Sequence, residues 1–373
     1  MKVHLGRAIL LGFLTVTYVT CSGDGDNGGP PPAAYKYFAY VTNISAGNIS
    51  AYSINSATGA LTPVAGSPFA AASSPASIAV DPTGKFIYVG NFSTANISAY
   101  TINAASGALT PIAGSPFAAG ASMSSVAVDP NGKFAYSVNV GSNNVSAYTI
   151  NAATGALAAV AGSPFAAGAL PQDIAIDPTG KFAYVTNGQA NNISAYSINA
   201  TTGALTSIAN SPFAAGTSPA SLAIDPSSKF AYIVNLSSAD ISIYAINTIT
   251  GALTAIADSP FNIGLGPSSL TIDPSGKFLF VALGPSNHVA GYTINATTGA
   301  LTPIAGSPFA AGSNPGTVAV EHTGNFAYVT NLGSNNVSVY AINAATGALT
   351  EIASSPFAAG NGPVSVATIR IKQ

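Results

Sequence analysis

The chain has 373 residues, of which 48% are hydrophobic and only 6% charged, with a net charge of −2. This excludes a disordered polar chain, which could not bury enough apolar surface to fold, and the lack of any basic patch argues against a nucleic-acid partner. A lone cysteine, Cys21, rules out structural disulfides, so the fold must hold by packing.

Residues 1–21 read as an export segment. Lys2, His4 and Arg7 give a polar, positive start, and Ala8 to Val19 ("AILLGFLTVTYV") is an apolar core too short to span a bilayer comfortably. Cys21 follows directly. It resembles the acylated cysteine of a bacterial lipoprotein, which implies lipidation there and a membrane contact through that anchor only. Residues 22–34, "SGDGDNGGPPPAA", read as a flexible tether.

From residue 35 to residue 373 one pattern repeats. "FAYVTN"-like octets place a phenylalanine at Phe38, Phe86, Phe134, Phe182, Phe230, Phe278 and Phe326, each step being 48 residues. "SPF" and the glycine of "TGAL" keep the same step. One repeat contains four strand candidates: A, Ser77 to Pro82; B, Lys85 to Asn91; C, Asn96 to Asn103; D, Ala108 to Gly114. Four short antiparallel strands at this period are the signature of a propeller blade.

The composition of each strand assigns its place. Strand B is apolar on both faces, as in a sheet covered on both sides. Strand D carries Pro63, Pro111 and Pro303, and proline has no N–H to donate, so D belongs at the outer edge. Strand A is rich in small side chains suited to the axis. The first repeat lacks an A strand and the last ends on a spare one, Ser365 to Ile371. The reading is an all-β, seven-bladed propeller of 48-residue repeats, closed by the C-terminal strand pairing with the N-terminal blade.

These motifs, "FAYVTN" with "NISAYSIN" and "TGAL", resemble the YVTN-type β-propeller repeat, and the resemblance covers about residues 35–373. The repeat occurs in exported bacterial proteins, archaeal surface-layer proteins and lactonase-like seven-bladed propellers. What it implies for function is divided. Some relatives, similar to 6-phosphogluconolactonase, hydrolyse lactones, and many are known only as envelope or surface proteins.

Charge falls unevenly. The A–B turns hold Asp81, Asp129, Asp177, Asp225, Asp273 and Glu321, with Lys85, Lys133, Lys181, Lys229 and Lys277, and read as solvated turns. The opposite face is made of Asn, Ser and Gly loops. One slot there reads Asn48, Asn96, Asn144, Asn192, Asp240, His288 and Asn336, and Asp258 follows between those last two blades. His288 could serve as a base oriented by Asp240 or Asp258. Asp173 stands where the other repeats carry Ser or Thr, beside Gln172 at the mouth of the axial channel. Gln172, Asp173, Asn192 and Asn336 are the candidate ligand contacts.

A phosphorylated substrate needs a cation to hold it, and neither arginine, Arg7 or Arg370, falls on the neutral face. The sequence therefore favours an exported, envelope-anchored, monomeric and non-catalytic binding platform or surface scaffold. Its expected partner is a neutral polar ligand, a glycan or a protein, with no cofactor and no metal. The alternative is a lactonase-like hydrolase.

Overall fold

The structure is a computed structural model that describes residues 34–264 and 266–373. Cys21, the export segment and all but the last residue of the tether lie outside them. Among the described residues no helix is long and apolar enough to cross a membrane.

Seven sheets form, each ordered A, B, C, D from one edge to the other. In blade two, A is Pro75–Val80, B is Phe86–Asn91, C is Asn96–Ile102 and D starts at Leu109–Pro111. The A strands pack against one another in a cycle that returns from Pro363–Lys372 to Pro75–Val80, so they form the hub. The spare strand closes the ring: Pro363–Lys372 pairs antiparallel with Tyr35–Asn43, joining Val366 to Val41 and Ile369 to Phe38.

Strand B is buried along its length because its two faces serve two different cores. Ile87 and Val89 join Phe38 and Tyr40 of blade one, while Phe86 and Tyr88 join Met123 and Ala135 of blade three. Burying each such phenylalanine stabilises by about 1.5–3 kcal/mol. Among the described residues, the cores of the ring are formed by residues of the ring alone.

The recurring glycine of "TGAL" has a steric reason. Gly107 adopts φ +78°, and a Cβ there would meet the Phe38 ring of the preceding blade at 2.4 Å. The same carbonyl accepts a hydrogen bond from the buried Tyr40 hydroxyl, 2.9 Å away. The tie recurs around the ring and closes it, with Tyr328 donating to Gly59 O at 3.0 Å. Blade six has Phe280 in this place and lacks the hydroxyl.

Two features differ from the sequence expectation. Strand D is broken, with Leu109–Pro111 and Phe117–Ala118 separated by a bulge that contains a cis Ser115–Pro116 bond. In that bulge Ser115 Oγ accepts the Ala99 N–H of strand C at 2.8 Å, which accounts for the serine of "SPF". The turn acids are also not solvated. Asp81 is 2% exposed, and one carboxylate oxygen accepts the N–H groups of Lys85 and Phe86 at 2.7 and 2.6 Å. The acid is part of the turn, and Pro82, Thr83 and Lys85 are its exposed residues.

Candidate active site

Strict alternation along strand A would send one of every two neighbouring side chains away from the axis. Each A–B pair breaks this rule at its start, with a register shift such as that between Pro75 and Ser77. A bulge re-aims side chains, and here two successive residues of a blade, Ala76 and Ser77 or Gln172 and Asp173, line one axial cavity. The cavity has a volume of about 460 Å³ and opens between the B–C loops, where Phe92 and Leu332 stand at its mouth.

Six of the seven equivalent hub positions carry a hydroxyl, Ser77, Ser125, Ser221, Ser269, Thr317 and Ser365, and the seventh is Asp173. Its carboxylate is held across three blades. Oδ1 accepts Ser125 Oγ at 2.8 Å and its neighbour's Ile174 N–H at 2.9 Å. Oδ2 accepts Ser221 Oγ at 2.9 Å and Leu222 N–H at 3.2 Å. The residue keeps some accessible surface because it faces the cavity, yet the carboxylate sits deep among the strands. Burial pushes its pKa above the ordinary carboxylate value, opposed by these four hydrogen bonds. An ionised group here is satisfied, but ionisation is costly.

Gln172 lines the cavity one residue earlier, and its backbone carbonyl accepts Ser124 Oγ at 2.6 Å. The remaining candidates lie elsewhere. Asn192, Asp240, His288 and Asn336 each begin a C strand, two strands out from the axis. The slot anchors the end of strand B: Asn187 Nδ2 donates to Asn192 Oδ1 at 2.8 Å, Asn331 to Asn336 at 2.8 Å and Asn235 to Asp240 at 2.6 Å. His288 Nδ1 lies 2.5 Å from Ser286 O in its own loop. Asp258 is exposed in the bulge of the outer strand, between Leu253–Ala255 and Phe261–Asn262. The structure therefore brings Gln172 and Asp173 together in the cavity and leaves His288, Asp240 and Asp258 outside its lining. Among the described residues no group of three His, Cys, Asp or Glu is placed to hold a metal.

Ring and cavity together define a closed seven-bladed β-propeller with a hydroxyl-bearing pocket at its hub. The family model "Lactonase, 7-bladed beta-propeller" matches residues 33–122, 125–314 and 309–367. The chain belongs to this lactonase family. No curated protein matches it in sequence. Among solved structures it is similar to a candidate 6-phosphogluconolactonase from Bacteroides uniformis, with a TM-score of 0.79 and 21% identity over 90% of this chain and 99% of that one. It is also similar to the periplasmic gluconolactonase of Pseudomonas aeruginosa, with a TM-score of 0.77 and 17% identity over 90% and 99% of the two chains. At such identities the likeness is one of fold. The family match corrects the expectation of a non-catalytic platform or scaffold, because it covers the repeat region that the expectation rested on.

Proposed function

We propose that the protein is a lactone hydrolase acting on an unphosphorylated sugar lactone in the axial cavity. One observation carries this reading: Asp173, the carboxylate of the cavity lining, is hydrogen-bonded to two hydroxyls and raised in pKa by burial. A raised pKa is what general-base chemistry near neutrality needs.

All four of its acceptor positions are occupied, so water reaches the carboxylate through a serine. Water donates to Ser221 Oγ, whose own proton passes to Asp173 as the water oxygen attacks the lactone carbonyl. The ring C–O bond then breaks, and the proton held by Asp173 goes to the departing alkoxide. The product is the open hydroxy acid. Hydroxyls of the same ring supply hydrogen bonds to the developing oxyanion and to the hydroxyls of the sugar. None of the residues lining the cavity is Lys or Arg, so a phosphate would find no cation there. A neutral lactone of the gluconolactone class, as in the name of the Pseudomonas neighbour, suits this lining.

Proton release from gluconolactone and from 6-phosphogluconolactone tests the assignment. The expected result is turnover of the neutral lactone that Asp173→Asn lowers by about 10²- to 10⁴-fold. Turnover undiminished by this substitution removes Asp173 from the chemistry, and preference for the phosphorylated lactone overturns the substrate class. We also infer export and attachment at the envelope, supported by the apolar run at Ala8 to Val19 and by Cys21. Labelling of Cys21 with a fatty-acid analogue in cells is the check.

A further inference from the structure

The cations of the propeller are confined to one face. Of the ten lysines and arginines in the chain, Lys2 and Arg7 precede the ring, which leaves eight. Lys85, Lys133, Lys181, Lys229 and Lys277 project from five consecutive A–B turns, and each is exposed. The clasp adds the other three, Lys36, Arg370 and Lys372, at the same end of the paired strands. Lys36 Nζ donates to Ala105 O of the C–D hairpin at 2.5 Å, which places that hairpin on this face too.

The acids of these turns lie beneath the lysines rather than beside them at the surface. Asp81, Asp129, Asp177, Asp225, Asp273 and Glu321 are buried, with their oxygens turned to backbone N–H groups. Solvent meets ammonium groups first. Of the remaining acids of the ring, Asp173 lines the cavity, Asp240 begins a C strand at the opposite end, Asp258 lies in an outer bulge and Glu351 ends the first segment of an outer strand.

Two further features share the face. The polypeptide enters the ring there, since Ala34 O accepts the Gln373 N–H at 2.9 Å. Ile249, 88% exposed, projects from the C–D hairpin of blade five.

We propose that this face docks on an anionic phospholipid bilayer, so that the cavity mouth points away from the membrane. A basic patch near a bilayer surface adds attraction residue by residue. The proposal does not rest on the lactonase reading, and its test has no catalytic readout.

The experiment uses the ring from Ala34 onward, which contains every core found among the described residues, and phosphatidylglycerol–phosphatidylcholine vesicles against pure phosphatidylcholine vesicles. The ring is expected to sediment with the anionic vesicles only and to be released by salt. Each Lys→Gln change at the turns is expected to lower partition about fivefold. A variant with Lys→Arg at all five turns retains binding, which separates loss of charge from misfolding. Equal partition to both vesicle types overturns the proposal. So does undiminished binding when all five turn lysines are Gln, or binding to heparin without binding to vesicles.

Discussion

Asp173 and Asp177 stand at opposite ends of one strand, Pro171–Ile176 and the turn that follows it, and both carboxylates accept hydrogen bonds on both oxygens. Their donors differ. Asp177 takes the N–H groups of Thr179, Lys181 and Phe182 at 3.0, 2.7 and 2.7 Å, all from its own turn. Asp173 takes hydroxyls from residues 48 positions away on either side, Ser125 and Ser221. Acids of the first kind recur in six repeats, and the second kind occurs once. A carboxylate satisfied locally and repeated belongs to the folding of a blade. One satisfied from neighbouring blades, where six equivalents carry hydroxyls, belongs to what the assembled ring does.

The strongest test of this division is Asp173→Asn. It should lower kcat/KM for a neutral lactone by about 10²- to 10⁴-fold, the usual contribution of a general base, with the circular dichroism spectrum unchanged. The counterpart, Asp177→Ala, should do the reverse. It strands three backbone donors, so urea denaturation should show a loss of about 3 kcal/mol, while kcat/KM of the folded protein stays at the wild-type value.

The pH dependence separates the two acids further. Asp173 must be ionised to act, and burial raises its pKa, so kcat/KM should fall on acidification at a pH above the ordinary carboxylate value of 3.8. The sign for stability is opposite to that of a salt-bridged acid. Between the unfolded and folded pKa values the native state holds the extra proton, so stability declines as pH rises through that interval. Asp173→Ser, which restores the residue of the other blades, should therefore raise the melting temperature at neutral pH. The gain should shrink as pH falls toward the ordinary carboxylate range.

The smallest effect concerns the repeat alone. Phe280→Tyr in blade six should restore the hydroxyl bond to Gly347 O that Tyr232 makes to Gly299 O at 2.9 Å. About 1 kcal/mol of added stability is expected, with no change in turnover.

The fold was legible because burial acts on every repeat alike. The 48-residue step, the prolines of the outer strand and the spare final strand each followed from local chemistry. The broken outer strand was not legible, because the serine of "SPF" works through one hydrogen bond to a neighbouring strand that periodicity does not register. The site was legible only in part. Asp173 stood out as an acid among hydroxyls, but three of its four donors come from other blades. The bulge that turns two successive side chains toward the axis leaves no mark in the spacing. His288 and Asp240 attracted notice by departing from Asn, yet Asp240 keeps the slot's bond to the end of strand B, and His288, opposite Leu283, bonds only within its own loop.

The clasp between Tyr35–Asn43 and Pro363–Lys372 has a bearing on biosynthesis. Because the innermost strand of the first blade follows every other strand of the ring in chain order, the torus cannot seal while that strand is still inside a ribosome or a translocation channel. Maturation of the hub thus waits on the emergence of Pro363–Lys372.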